Sequence, residues 1–219
     1  VGIVTSVSLA HATPAVFYAH VPDRNMYHDI GHDLVNSGFE YFGGGSFINP
    51  DGAKGNIFTA AAANGYTLVR SRADLNAAAP GQKILACVNA ADEVRELEYE
   101  IDRPAKEVSL AELTRRGIEL LDNPAGPGAN PVVPGANPAG PGANKNGFFM
   151  MIEGGKIDWA GHANDARTVI GEVIAFDQAI QEAVRFYQKH PRETLIIVTA
   201  DHETGGMALG FSGAYYESA

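Results

Sequence analysis

Short apolar runs alternate along this chain with stretches of helical period. The runs Gly2 to Thr5, Phe39 to Phe42, Thr67 to Arg70, Lys83 to Val88, Phe148 to Ile152 and Thr194 to Thr199 have the length and continuity of buried strands. Strands covered on both faces lose the inside–outside alternation of a half-exposed sheet, so such runs point to parallel pairing. From Asp165 to about Lys189, Ile170, Val173, Ile174, Ile180, Val184 and Tyr187 recur at three- and four-residue steps, which predicts a helix with an apolar face turned to the core. Asn164 or Asp165 is placed to cap it, and Pro191 to stop it. Ser109 and Glu112 have capping-box spacing ahead of Leu110, Leu113, Ile118 and Leu121, predicting a second helix that ends at Asp122-Asn123-Pro124. The fold class expected is α/β, with a mostly parallel central sheet flanked by helices on both faces.

One stretch fits neither period. Pro-Gly-Ala-Asn begins at Pro127, Pro134 and Pro141 within residues 124–146, where Pro, Gly and Asn offer turns and little side chain to bury. It reads as an inserted surface loop or linker, either a substrate lid or an inert insertion. The remainder of the 219 residues fits one domain, and the start at Val1-Gly2-Ile3-Val4-Thr5 reads as a strand entered midway with no initiating Met, so an upstream segment is expected to be missing.

Composition narrows the function classes. With 26 acidic and 16 basic side chains the formal charge is -10, which opposes binding along a phosphate backbone, and no basic patch offsets it. No apolar run is long enough to span a membrane. The single cysteine, Cys87, lies inside an apolar run, so no intrachain disulfide forms and a buried thiol is expected. The acidity itself has two readings, solubility or carboxylates whose charge bound cations offset.

The chemistry is concentrated at two strand ends. After the run Phe148 to Ile152 comes Glu153-Gly154-Gly155-Lys156-Ile157-Asp158-Trp159-Ala160-Gly161-His162. Asp158 and His162 are four apart, and one helical turn brings both to the same face, where they can share a cation. That spacing is weak alone, since a surface pair at a helix start looks the same. After Thr194 to Thr199 comes Asp201-His202-Glu203-Thr204-Gly205-Gly206, a second Asp/His pair at a strand's carboxyl end, with glycines that allow a turn. In wound sheets those ends border the ligand crevice. Two mixed nitrogen and oxygen pairs suit borderline-soft ions, zinc first among them, and Glu153, offering oxygen alone, suits magnesium.

Glu-Gly-Gly-x-Ile-Asp-x-x-x-His and Val-Thr-Ala-Asp-His-Glu-Thr-Gly-Gly resemble the alkaline phosphatase family. Ser8 to Ala15, with Ala19-His20-Val21 and Arg24, looks like the family segment that carries a metal-site threonine and the phosphate-binding arginine, and Phe42-Gly43-Gly44-Gly45 is similar to a family strand ending in glycines. The resemblance covers nearly the whole chain except residues 124–146. It implies two zinc ions and one magnesium: Asp158 and His162 on the first zinc, Asp201 and His202 on the second, Glu153 with Thr13 on the magnesium, and Arg24 on the substrate phosphate. A planar guanidinium fork suits two phosphate oxygens in a way that lysine cannot copy. His11 and Trp159 fall where family members vary. Each either touches phosphate or a metal-bound water, or serves as a structural histidine and a packing tryptophan.

The family's activity is phosphate monoester hydrolysis through a phosphoserine in an Asp-Ser-Ala setting, and no Asp-Ser-Ala occurs here. The nucleophile, an earlier metal-bridging Asp and a later zinc-binding His are therefore expected outside this chain, which alone is expected to be inactive. A homodimer and a periplasmic or secreted location are implied by the resemblance only. Rival readings are a phosphodiesterase or sulfatase of the same superfamily, and a metal-binding module without catalysis. Arg24 and the Glu153/Thr13 pair favour a monoester dianion.

Overall fold

A computed structural model describes residues 1–88, 96–122 and 147–204. Residues 124–146, the expected insertion, and Gly205-Gly206, the expected turn, lie outside that set. Five strands form one sheet: β1 (Gly2–Ser8), β2 (Tyr41–Gly45), β3 (Tyr66–Val69), β4 (Lys83–Cys87) and β5 (Met150–Glu153), in the order β3-β4-β2-β1-β5. Every pairing is parallel, and the class is α/β as expected.

The sheet separates two cores because successive strand residues point to opposite faces. Ile3, Phe42, Leu85 and Cys87 pack against Ile30, Leu34 and Val35 of α2 (Tyr27–Asn36) and Ile57 and Ala61 of α3 (Ile57–Ala63). Val4, Tyr41, Ile84 and Ala86 face Leu75 of α4 (Arg72–Ala77) and Leu110, Leu113, Leu120 and Leu121 of α5 (Leu110–Leu121). The predicted capping box holds: Ser109 accepts from the Glu112 N–H while the Glu112 carboxylate accepts from the Ser109 N–H. Cys87 is buried as expected, and burial pushes its thiol up to about 12.

Two glycines let backbones approach closely. A Cβ on Gly44 would stand 2.8 Å from the Thr5 carbonyl oxygen of β1, and one on Gly117 of α5 would stand 2.6 Å from the Tyr41 ring and Met150. The glycine run after Phe42 thus belongs to β2 itself and lets β1 and β2 pair tightly before the ladder shifts register between Val4 and Ser8.

Two expectations fail. The long helix α7 (Ala166–Lys189) forms, capped by Asp165 accepting from the Thr168 N–H, but its apolar stripe faces outward. Ile170, Val173 and Ile174 are exposed, while Thr168, Glu172, Ala175 and Ala179 are buried. Small residues let α7 lie close against α5, whose own larger side chains already fill the space over the sheet. Periodicity identified a face without identifying what covers it. Residues 194–199 are not a strand among the described residues: they run on after the helix with Leu195 83% and Ile197 76% exposed, because no neighbouring strand supplies the backbone partners that would hold them in a ladder. No helix of the described residues is long and apolar enough to cross a membrane.

Candidate metal centre

β1 and β5 are neighbours in the sheet, so the segments that follow them leave from the same edge. β1 is buried along its whole length, yet its carboxyl half carries the hydroxyls of Thr5, Ser6 and Ser8. Polar groups in a doubly covered strand need partners, and theirs lie in the site. Thr5 is in register with Glu153 and donates to its carboxylate at 2.6 Å, while accepting from the Val7 N–H at 3.1 Å. The Ser8 hydroxyl donates to the Ser46 carbonyl, and the Ser8 carbonyl accepts from the His11 N–H, turning the chain into α1 (Ala12–Ala15). Buried Tyr18 donates to the Leu9 carbonyl and fixes this turn from behind.

Thr13, on α1, lies near enough to Glu153 for its hydroxyl to favour the charged carboxylate. Burial raises the Glu153 carboxyl above the ordinary glutamate range. The Thr5 and Thr13 hydroxyls pull it back, and the Asp201 and Asp158 carboxylates push it further up. Gly155 permits this fold-back, since a Cβ there would stand 3.1 Å from the Glu153 carboxylate, and Gly154 clears the Phe176 ring.

Asp158, Trp159 and His162 lie on α6 (Lys156–His162), which starts immediately beyond β5. The helical turn brings His162 Nε2 to 3.4 Å from the Asp158 carboxylate, as the spacing predicted. The second cluster comes to the same carboxylate. His202 Nε2 stands 4.0 Å from Asp158 and 3.3 Å from Asp201, and the Thr204 hydroxyl donates to Asp158 at 3.0 Å. Gly161 makes room, because a Cβ there would meet Thr204 at 3.1 Å.

His11 occupies the N-cap position of α1 without a side-chain capping bond and meets Trp159 edge-on, ring centroids 5.9 Å apart. Burial lowers the His11 pKa and the Arg24 charge lowers it further, while Asp158 opposes both. His11 Nδ1 is buried without a hydrogen-bond partner among the described residues. Arg24 lies in an exposed turn before α2, close enough to act on His11 by charge. The structure therefore gathers Thr13, Glu153, Asp158, His162, Asp201 and His202, with His11, Trp159 and Arg24 beside them.

Among the described residues no three His, Cys, Asp or Glu side chains are arranged to enclose an ion, so the Asp/His groups stand as pairs. Their chemistry suits cations nonetheless. The Asp201 and Asp158 carboxylates raise the cost of ionising Glu153, and the imidazoles beside them supply the nitrogen donors that zinc accepts. Sequence reasoning missed Thr5 and Thr204. Thr5 announced itself as a polar residue closing an apolar run, and Thr204 by adjacency to Asp201-His202, but neither signal names the carboxylate it serves.

A parallel α/β sheet with carboxylates and imidazoles gathered at one carboxyl edge defines the class of protein. Comparison with known proteins gives the family. The alkaline phosphatase family model matches residues 48–218. Alkaline phosphatase 3 of Bacillus subtilis is 31% identical over 98% of this chain and 42% of its own length, and streptomycin-6-phosphate phosphatase of Streptomyces griseus is 31% identical over 92% and 51%. The cold-active alkaline phosphatase of a psychrophilic Shewanella superposes with a TM-score of 0.78 at 31% identity, covering 98% of this chain and 46% of that one. A variant of the alkaline phosphatase of the Antarctic bacterium TAB5, with magnesium bound, superposes with a TM-score of 0.66 at 27% identity over 86% and 48%. The chain belongs to the alkaline phosphatase family. It spans about half or less of the length of these relatives.

Proposed function

We propose that the protein carrying this chain hydrolyses phosphate monoesters with the help of two zinc ions and one magnesium. The observation that supports this best is the meeting of two separate segments at Asp158, with His162 from one side and His202, itself against Asp201, from the other. Asp158 and His162 would hold one zinc, Asp201 and His202 the other, and Glu153 and Thr13 the magnesium. Bound there, the ions supply positive charge to phosphate oxygens and make an oxygen nucleophile available near neutral pH.

The chain's own residues prepare the site for that charge. Thr5 holds the Glu153 carboxylate in one orientation, and Thr204 does the same for Asp158. Arg24 grips two phosphate oxygens through its planar fork. His11, whose pKa burial and Arg24 lower against the pull of Asp158, offers its buried Nδ1 to a phosphate oxygen or a water, and Trp159 walls that side. The nucleophile is a serine outside these 219 residues, phosphorylated and then hydrolysed. Family membership also supports a homodimer and a periplasmic or secreted site of action.

The complete protein should turn over p-nitrophenyl phosphate, lose activity when zinc is chelated, and regain it on zinc addition, while the 219-residue chain alone stays inactive. D158A should cost about 100-fold or more in kcat/KM if metal positioning supplies several kcal/mol of transition-state stabilisation. Faster turnover of a phosphodiester than of the monoester, or activity indifferent to chelation, would overturn the assignment.

A further inference from the structure

Helix α6 carries Asp158, Trp159 and His162, and its start is unusual. Its N-cap, Gly155, has no side chain to bond the exposed N–H groups of the first turn. A strand residue takes over, the Ser6 hydroxyl of β1 accepting from the Lys156 N–H at 3.2 Å. The lysine side chain then turns inward. It is only 3% exposed, and its ammonium donates to the Leu97 carbonyl while lying 3.8 Å from the Tyr99 ring centroid and 6.0 Å from that of Trp159.

The segment that receives the ammonium is itself fastened. The Leu97 N–H donates to the Ser6 carbonyl at 3.0 Å, and the Glu100 N–H donates to the buried Glu172 carboxylate of α7 at 2.6 Å. Ser6 thus holds both the lysine's backbone and the segment that holds its side chain. The electrostatics favour the arrangement, since a cation over an aromatic face is attracted by the ring quadrupole, more strongly when water is excluded. Burying an ammonium is otherwise costly, so its retention here requires this matched set of partners.

We propose that Lys156 is a positioning residue for the phosphatase centre: its buried ammonium, clamped between Tyr99 and the Leu97 carbonyl, fixes the first turn of α6 and so sets the placement of Asp158 and Trp159. The metal half of this rests on the ligand assignment of the preceding section. The Trp159 half does not. Lys156 reaches the reacting groups only through its neighbours, with Trp159 in turn setting the packing of His11.

Trp159 is the single tryptophan of the chain, so its fluorescence reports the position of α6 directly. In the 219-residue chain, K156M should raise the acrylamide quenching constant of Trp159 and weaken zinc binding about tenfold, the usual scale for residues that orient a ligand. K156R, which keeps a cation able to stack on Tyr99, should restore both readouts towards wild type. Y99L removes the ring, leaves the lysine, and should move both readouts in the direction of K156M, which serves if K156M fails to fold. A folded K156M, or Y99L in its place, with wild-type quenching and zinc affinity overturns the proposal. D158A separates the two assignments: if D158A binds zinc as wild type does, the ligand reading fails, while the quenching data still judge Lys156.

Discussion

The Thr5 hydroxyl offers a test of how tightly the sheet and the site are coupled. Thr5→Val keeps the shape of the side chain, so no cavity opens, and removes one oxygen that makes two bonds. One is the donation to Glu153 at 2.6 Å, the other the acceptance from the Val7 N–H at 3.1 Å. Thr5 is fully buried, and water cannot replace either partner without disturbing β1. A hydrogen bond to a charged group contributes about 1.5–3 kcal/mol, and leaving a buried N–H unpaired costs about 1–3 kcal/mol. Glu153 is half-buried, so the lower half of that sum applies, roughly 2.5–4 kcal/mol. Against a typical total of about 5–15 kcal/mol this is a large fraction. Urea titration of the metal-free chain should show the midpoint falling with an unchanged slope, since the mutation exposes no new surface. A double-mutant cycle with E153Q isolates the bond. The reasoning fails if T5V lies within about 0.5 kcal/mol of wild type, the range of an ordinary surface change, or if the cycle shows no coupling.

Two further outcomes follow from packing and burial. G44A places a Cβ 2.8 Å from the Thr5 carbonyl, and because β1 and β2 cannot separate without losing their ladder, it should cost about 1–3 kcal/mol or more in thermal unfolding. A G44A protein as stable as wild type would show the strands to be less tightly apposed than described. Burial raises the Glu172 carboxyl above the ordinary value of 4.5, with the Glu100 N–H pulling it back. A carboxyl whose folded pKa is raised binds more protons folded than unfolded, so stability declines as pH rises from the ordinary glutamate range through the raised value. Melting temperatures taken from pH 4.5 to neutrality should fall less steeply in E172Q than in wild type, and equal slopes would remove Glu172 as the cause.

Local signals carried the elements well. The capping box at Ser109 and Glu112, the Asp165 cap and the apolar runs at β1, β3, β4 and β5 involve residues a few positions apart, where spacing alone states the geometry. The Asp158–His162 contact was legible for the same reason, being one turn of helix. The outward face of α7 was not, because its apolar stripe has the same period whichever side is covered, and the closeness of Ala175 and Ala179 to α5 decided which side that is.

The residue sequence by itself determined the α/β class, the order of most elements, and the residue types from which a cation and phosphate site can be built. Tertiary structure decided which of those residues meet. Thr5 reaches Glu153 across 148 positions because β1 and β5 are neighbours in parallel register, and Thr204 reaches Asp158 across 46 because Gly161 leaves room for it. Such pairings depend on strand order and on the space a glycine leaves, and neither is a property of a local stretch of chain. The same holds for residues 194–199, apolar enough for a strand yet exposed and outside any ladder of the described residues, since a strand is defined by the neighbour that pairs with it.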